Sequence, residues 1–226
     1  MPSTTTSAAP ISVQASELVE RYLDAQLAGD RRAALRLVMD EGLARGLSVE
    51  ELLLGVVQPA QERIGELWQQ NRVSVAQEHL ATAISQLVVT HLYQYLKAGA
   101  ANGKVVIVAC AEGEQHELGA RMASDFLEMA GFSVRFLGAN VPAESLALMV
   151  AAVRPDVVVI SASTTLCFPG LRRSVEAVRA RVGDSIPILV GGTAFRWSET
   201  CVADGVRHAG RTARELVDAT REAARL

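Results

Sequence analysis

The hydrophobic pattern changes its period near Lys104, and this change constrains the fold more than any other feature of the chain. From about Ser12 to Leu96, apolar residues recur at helical spacing. Beyond Lys104, short runs rich in β-branched residues alternate with helical stretches. The runs lie at 104–109, 133–137, 156–161, 187–190 and 206–208, and the helical stretches at 116–130, 143–153, 168–182, 194–203 and 211–224. The chain therefore predicts a helical half followed by an α/β half.

The helical half predicts a four-helix bundle. Asp30, Ser48 and Ser74 are placed to cap the second, third and fourth helices, and the last two have Glu or Gln three residues later. Pro59 predicts a bend in the third helix, and the fourth is expected to run to about Lys97. Four helices with short connections are typical of an antiparallel bundle. The predicted division is a disordered tail at 1–11, the bundle at 12–100 and the α/β domain at 101–226.

The α/β half predicts a five-stranded, parallel, doubly wound sheet. Strands that alternate with helices imply parallel pairing, and near-continuous apolar strands imply burial on both faces. In such a sheet the ligand lies beyond the carboxyl ends of the strands. The informative loops are therefore 111–115, 138–141, 163–169 and 191–193. None carries a G-x-G-x-x-G or Walker motif, so these motifs do not support a nucleotide site.

Composition excludes several classes of function. The net charge is −3 and aromatic residues make up 4% of the 226 residues, which disfavours a nucleic-acid surface. The three cysteines are far apart and form no C-x-x-C pair, which is typical of reduced thiols. The amino terminus lacks the features of a signal peptide, and no run of 18 residues is apolar throughout. We therefore expect a cytoplasmic protein with no membrane segment.

A histidine follows the first strand, on a loop at the expected ligand edge. His116 could present a ring nitrogen to a metal, and Glu114 could hold the opposite nitrogen and fix the tautomer. Gly119 removes a side chain where a flat ligand would approach the next helix. An ordinary polar residue in a first helical turn would look the same. One histidine cannot hold a free metal ion, which needs about four ligands, so a metal here would have to arrive inside a macrocycle.

Two further strand ends carry small residues. Ser161 and Ser163 end the third strand, where their hydroxyls could hydrogen-bond a buried polar ring. Gly191 and Gly192 follow the fourth strand, where a bulky ligand could lie against the backbone. The alternative is that the serines simply terminate a strand and the glycines form a turn.

Glu-x-His-x-x-Gly, then Ser-x-Ser, then Gly-Gly, in this order and at these strand ends, resembles the cobalamin-binding domain. The resemblance covers about residues 102–226 and implies a flavodoxin- or Rossmann-like fold. It also implies base-off, His-on binding, with His116 as the lower axial cobalt ligand and Glu114 as its partner. Ser161, Ser163, Gly191 and Gly192 would line the channel for the nucleotide tail. The sequence departs from the family's pattern at Glu114, where corrinoid enzymes have Asp, and at Ser163, where they have Leu.

The helical half carries a second arrangement, Trp68 followed after nine residues by Glu78 and His79. Trp68 lies at the end of the third predicted helix and the other two near the start of the fourth, so all three are expected at one end of the bundle. Taken singly, they fit a core indole and two solvated polar residues equally well. The spacing, with the Gly-Glu-x-His-Glu-x-Gly-Ala string from Gly113 to Ala120, resembles the CarH-like, adenosylcobalamin-dependent photoreceptors.

That resemblance implies a non-enzymatic light sensor. In the family, light breaks the upper cobalt–carbon bond of adenosylcobalamin and the bundle changes its packing, which signals to a partner. The repressors carry an amino-terminal DNA-binding module, for which the predicted tail leaves no room, so we expect no direct contact with nucleic acid. Some members capture cobalt with a histidine after the Trp, where this chain has Gln69. His79 would be the substitute for that histidine.

Three points stay open at this stage. The stand-alone photocobilins, which the chain also resembles, imply a bilin such as biliverdin beside cobalamin, although the sequence has no independent bilin motif. The output would require an unidentified protein partner or a change of homo-oligomer. The alternative function is a corrinoid shuttle protein that presents methylcobalamin to methyltransferases.

Overall fold

The structure, a computed structural model, describes residues 13–196 and 205–226. It divides into two compact units, Met1–Leu96 and Lys97–Leu226. The predicted tail at 1–11, Cys201 and residues 197–203 of a predicted helix lie outside the described residues. No helix among the described residues is long and apolar enough to cross a membrane.

The first unit contains four helical stretches joined by short loops, as the sequence predicts. They are α1 (Val13–Leu27); α2 (Arg31–Leu35), continued by a π-helical segment, Arg36–Gly42; α3 (Val49–Leu52), a π-helical segment, Leu53–Val57, and α4 (Gln58–Gln69), in one run; and α5 (Val75–Leu92). The side chains of Asp30, Ser48 and Ser74 each accept a hydrogen bond from the backbone N–H three residues later. The three predicted caps are therefore confirmed.

Two features of the helical unit differ from the sequence prediction. Where the sequence predicts a bend at Pro59, a π-helical turn, Leu53–Val57, precedes it. Proline has no N–H to donate to the preceding turn, and a wider turn accommodates that loss. The fourth helix was predicted too long, since α5 ends at Leu92 and the chain tightens into a 3₁₀ turn, Tyr93–Tyr95.

The second unit is built on a five-stranded parallel sheet. Its strands are β1 (Val105–Cys110), β2 (Ser133–Phe136), β3 (Val157–Ser161), β4 (Ile188–Gly191) and β5 (Arg207–His208), in the order β2-β1-β3-β4-β5. Its helices are α6 (Leu118–Met129), α7 (Ala143–Val153), α8 (Phe168–Val182) and α9 (Ala213–Ala223). The predicted doubly wound fold is confirmed. The order reverses between β1 and β3, which is the position where such folds bind ligands.

Helices cover both faces of this sheet. Ile107 and Ala109 of β1 pack with α7 and α8 in one apolar cluster, while Val106 and Val108 pack with α6 and α9 in the other. Burial on both faces explains why the central strands β1, β3 and β4 read as continuous apolar runs, whereas the edge strands β2 and β5 carry exposed polar residues. The helix predicted at 194–203 is wrong in its described part, where a 3₁₀ turn, Thr193–Arg196, follows β4.

Asp125 on α6 is a buried carboxyl group that is expected to cost stability at neutral pH. Burial, and then the charge of Glu128, raise its pKa from 3.8 to about 7 against the opposing effect of Arg121. Because the folded-state pKa lies above the unfolded value, the contribution of the protonated group to stability is fully present below about pH 4. This contribution is lost as the pH rises through 7.

We therefore expect Asp125→Asn to stabilise the protein at pH 8 by about 2–4 kcal/mol and to have little effect at pH 4. Urea unfolding at both pH values measures the difference. Asp40→Asn, at an exposed position, is the matched control. An equal effect of Asp125→Asn at both pH values would contradict the prediction.

Candidate functional site

The loops after β1 and β3 meet at the point where the strand order reverses. Cys110 pairs in register with Ser161, which pairs in turn with Gly191. Beyond these residues the Ala111 N–H donates to the Ser161 carbonyl over 3.0 Å. The candidate residues after β1, β3 and β4 are therefore brought to one edge of the sheet, as the sequence predicts.

Glu114 is buried at this edge and holds both His116 and the loop after β3. Its Oε1 accepts from His116 Nδ1 at 2.6 Å and from the His116 backbone N–H at 2.8 Å. Its Oε2 accepts from the Ser163 backbone N–H at 2.6 Å. The hydrogen bond between Glu114 and the His116 ring, which the sequence predicts, is present. One carboxylate thus joins the loop after β1, which carries His116, to Ser163 in the loop after β3.

The Glu114 carboxylate is held in its charged form. Burial alone would raise its pKa, but hydrogen bonds from the ring and backbone of His116 and from the Ser163 backbone outweigh burial and lower the pKa to about 2. An ionised acceptor keeps the proton on Nδ1 of the neutral ring, which leaves the lone pair of that ring on Nε2. The His116 side chain is 62% exposed, whereas that of Glu114 is fully buried. The ring therefore lies at the surface of this unit, where Nε2 could bind a metal.

The two described cysteines lie beside the same loop and do not compete as metal ligands. Cys110 Sγ contacts the His116 carbonyl and Cys167 Sγ the Gly113 carbonyl, both at 3.8 Å. Burial, followed by the charge of Glu114, raises the pKa of Cys110 to about 12, and burial raises the pKa of Cys167. Both thiols stay protonated at neutral pH, and only a thiolate binds a metal well.

The donor set suits a metal held in a macrocycle. Among the described residues, no group of three or more His, Cys, Asp or Glu side chains could hold a free metal ion. One oriented imidazole is what a corrinoid lacking its own lower base requires. Gly119 lies two residues into α6, and a Cβ added there would meet nothing within 4 Å. These residues fit a corrinoid, which His116 would hold through its ring, and a Cβ-free position with open space lies nearby at Gly119.

The serine and glycine positions give a mixed result. Ser161 and Ser163 make backbone contacts with Ala111 and Glu114, and the part of their hydroxyls in ligand binding stays a prediction. Gly192 has a φ of +108°, and a Cβ there would lie 2.2 Å from the Ala162 carbonyl oxygen. Glycine at this position is therefore required by the neighbouring strand end, whether or not a ligand also lies against it.

Sequence reasoning did not find the residues that connect the site loops. Asn140 accepts from the Gly113 N–H through Oδ1 at 2.8 Å, and its own N–H donates to the Glu114 carbonyl at 2.7 Å. Its φ of +48° is a conformation that asparagine adopts more readily than most residues, so Gly-Ala-Asn after β2 was the available signal. The Thr193 hydroxyl donates to the Ser163 carbonyl.

Glu112 is another connecting residue that the sequence analysis did not single out. Its carboxylate accepts from the Ala143 N–H at the start of α7 and from the Arg173 guanidinium on α8. These bonds hold the loop after β1 against two helices. Hydrogen-bond partners so distant in sequence leave no local pattern.

In the helical unit, the three candidate residues lie at one end, where the loop at 70–74 joins α4 to α5. Trp68 is 46% exposed, which is high for an indole and contrary to a core position. Glu78 Oε2 contacts His79 Nδ1 at 2.5 Å, and the His79 side chain is 74% exposed. Their part in ligand binding stays a prediction.

Comparison with known proteins identifies the family of both units. Two family models match the chain, each described as a B12 binding domain, one over residues 104–218 and the other over residues 18–93. The HTH-type transcriptional repressor CarH of Myxococcus xanthus is 34% identical over 160 residues, which make up 70% of this chain and 52% of CarH. The chain thus spans about half the length of that repressor.

Corrinoid proteins match over a larger share of their length. Dimethylamine corrinoid protein 1 of Methanosarcina acetivorans is 24% identical over 207 residues, which cover 86% of this chain and 91% of that protein. The solved monomethylamine corrinoid protein of Methanosarcina barkeri has the same fold, with a TM-score of 0.73, 22% identity and coverage of 91% of this chain and 98% of that chain. With the match over 104–218, the chain belongs to the B12 binding domain family and is a cobalamin-binding protein.

Proposed function

We propose that this protein is a light sensor rather than an enzyme, and that it binds adenosylcobalamin base-off with His116 on the lower face of cobalt. The observation that carries the proposal is the arrangement of Trp68, Glu78 and His79 at one end of the helical unit. Its spacing resembles that of the CarH-like photoreceptors. Glu114, which stands where corrinoid enzymes have Asp, and the 34% identity to CarH also support it.

In this proposal the residues of the α/β unit bind and orient the cofactor. His116 supplies the lower ligand, and Glu114 keeps the proton on Nδ1 so that Nε2 remains the donor atom. The hydroxyls of Ser161 and Ser163 bind the nucleotide tail as it runs toward Gly191 and Gly192. The bound cofactor supplies a cobalt–carbon bond that light breaks.

The residues of the helical unit respond to the upper ligand. The exposed indole of Trp68 would shield an adenosyl group, and Glu78 and His79 would supply polar contacts to it. If these contacts were lost, the helices that carry them would repack. The signal would then leave through a protein partner or a change of assembly.

The proposal predicts a light-dependent spectrum and a light-dependent helical unit. We expect protein loaded with adenosylcobalamin in the dark to lose the adenosylcobalamin spectrum under green light, while a dark sample keeps it. Hydrogen exchange of α4 and α5 is expected to rise after illumination, because the contacts of Trp68 and Glu78 are gone. A photostable adenosylcobalamin complex would refute the proposal.

Biliverdin requires a separate arm of the same experiment. The chain's resemblance to the photocobilins is the reason for including it. A red-shifted absorption band that survives gel filtration with biliverdin would favour a two-cofactor sensor. Loading by cobalamin alone would limit the sensor to one cofactor.

A corrinoid shuttle protein is the second candidate, and one specific observation favours it. The dimethylamine corrinoid protein is covered almost over its whole length, whereas CarH is covered over about half. This candidate predicts that the methylcobalamin-loaded protein transfers its methyl group to a thiol when a partner methyltransferase is added. Methyl transfer together with a photostable adenosylcobalamin complex would decide in its favour.

A further inference from the structure

A row of polar residues runs into the apolar core of the helical unit along one face of α5. Glu78, Thr82 and Ser85 are spaced by four and three residues, which places them above one another on the helix. Ser85 is fully buried, and from α1 it meets Tyr22, also fully buried, and Gln26, which is 1% exposed. Polar side chains buried this deeply are normally hydrogen-bonded.

These side chains form a continuous hydrogen-bond path from the core of the helical unit to Glu78, one of its three candidate residues. Tyr22 OH lies 3.1 Å from Ser85 Oγ, and Ser85 Oγ donates to Gln61 Oε1 at 3.0 Å. Gln61 Nε2 donates to Thr82 Oγ1 at 2.7 Å, and Thr82 Oγ1 donates to Glu78 Oε1 at 2.9 Å. We refer to Tyr22, Ser85, Gln61, Thr82 and Glu78 as the polar path.

A backbone carbonyl sets the direction of the polar path. Ala81 O can only accept, so the Gln26 amide must turn Nε2 toward it, at 3.1 Å. The same nitrogen lies 2.9 Å from Gln61 Oε1 and 2.9 Å from Ser85 Oγ. The donors from Gln26 and Ser85 fix the orientation of the Gln61 amide. Gln61 Nε2 must then donate to Thr82, whose one hydroxyl hydrogen is left for Glu78. From Gln61 onward, each donor therefore points toward the Glu78 carboxylate.

The orientation leaves one polar atom without a partner. Gln26 Oε1 is buried and accepts no hydrogen bond from the described residues. Turning the amide over would place this oxygen against the Ala81 carbonyl and Gln61 Oε1, which are both acceptors. An unpaired buried oxygen calls for an explanation, and the alignment of donors toward Glu78 supplies one.

Tyr22, at the buried end of the polar path, keeps the proton that it donates. Burial raises the pKa of Tyr22 to about 12, against the opposing effect of its hydrogen bond to Ser85. The phenol therefore keeps its proton throughout the physiological range. At the near end, the Glu78 side chain is 20% exposed and Oε2 contacts His79. Thr82 occupies Oε1, so Oε2 is the oxygen that faces the exposed end of the unit.

We propose that Gln61 and Thr82 are positioning residues for Glu78. The polar path then couples the presence and orientation of this carboxylate to the hydrogen bonds of the buried Tyr22 and Gln26. Thr82 fixes the rotamer of Glu78 by taking one oxygen, and Gln61 fixes the hydroxyl of Thr82. The coupling is a property of the protein without cofactor. Its consequence for the upper ligand rests on the proposed function.

The first test uses the protein without cofactor and reads the side-chain amide NMR signals of Gln26 and Gln61. We expect Glu78→Ala, which removes the acceptor at the surface, to shift both signals and to raise the exchange rate of the Gln26 amide about fivefold. Glu78→Gln keeps a carbonyl acceptor for Thr82 and is expected to preserve the signals. Signals unchanged in Glu78→Ala would overturn the proposal.

Thr82→Val tests the middle of the path. It keeps the shape of the side chain and removes the hydroxyl, so we expect it to change the Gln26 signals as Glu78→Ala does. Thr82→Ser keeps the hydroxyl and is expected to keep the wild-type signals. Thr90→Val is the matched control, because the Thr90 hydroxyl on the same helix donates to the Gln86 carbonyl and is not part of the polar path. Equal changes in Thr90→Val would mean a general loosening of α5 and would also overturn the proposal.

The second test uses loaded protein and separates this proposal from the proposed function. We expect Thr82→Val to weaken binding of adenosylcobalamin about tenfold while methylcobalamin binding stays within about twofold of wild type. Equal weakening of both cofactors would overturn the positioning role. If neither wild-type complex responds to light but the NMR coupling is present, the proposed function fails and the polar path stands.

Discussion

His116→Ala is expected to abolish His-on cobalamin binding. The ring supplies the lower axial nitrogen in the proposed complex, and no described group of side chains could replace it as a metal site. Loss of a group that only orients a metal ligand already costs about 10–100-fold in affinity, so we expect at least about a hundredfold loss here. Titration of the protein with cobalamin, followed by absorption, measures both affinity and the nature of the lower ligand.

Variants of neighbouring residues separate ligation from damage to the loop. Gln115→Ala alters an exposed side chain beside His116 and is expected to bind as wild type. Glu114→Gln places an NH₂ group against either the Ser163 N–H or the His116 ring, so we expect an intermediate loss of about 10–100-fold. A His116→Ala protein that keeps the base-off spectrum at wild-type affinity would exclude His116 as the ligand.

The sheet and the candidate ligand loop were predictable because their signals are local. The central strands β1, β3 and β4 are buried on both faces and are apolar almost throughout, which marks their limits in the sequence to within a residue or two. The Glu114–His116 pair is separated by only two residues, and its hydrogen bond follows from that spacing. Caps at Ser48 and Ser74 are equally local, because donor and acceptor lie in one turn.

The features that sequence reasoning missed depend on contacts between distant segments. Asn140 reaches Gly113 across 27 positions, and Gln61 reaches Thr82 across 21. No periodicity records such pairs. The end of α5 was placed too late because Tyr93–Tyr95 keep helical spacing in a 3₁₀ turn. The sequence pattern predicts that Gly192 lies against a ligand, whereas the structure shows that the carbonyl of Ala162 already excludes a side chain at this position.

Gly170→Ala is expected to destabilise the α/β unit by about 3 kcal/mol or more. Gly170 is buried in the first turn of α8, and a Cβ there would lie 1.8 Å from the carbonyl oxygen and 2.9 Å from the carbonyl carbon of Glu112. Both atoms belong to backbone, so a change of side-chain rotamer cannot relieve the overlap. Either the helix or the loop after β1 must move. Urea unfolding followed by circular dichroism measures the loss.

Gly65→Ala is the matched control for the same chemical change. Gly65 lies inside α4, and a Cβ there would meet nothing within 4 Å. Alanine is the better helix former, so this variant is expected to stabilise the protein by about 1 kcal/mol. Opposite signs for two glycine-to-alanine changes in helices would show that the loss at Gly170 comes from its contact with Glu112 rather than from helix propensity.

The contact also links stability to the site, because Glu112 lies on the loop that carries Glu114 and His116. If the loop yields, the Ser163 N–H and the His116 ring lose their common acceptor, and cobalamin affinity is expected to fall even in the fraction that remains folded. If the helix yields instead, affinity per folded molecule stays near wild type. Wild-type stability in Gly170→Ala would contradict the close packing of α8 against this loop.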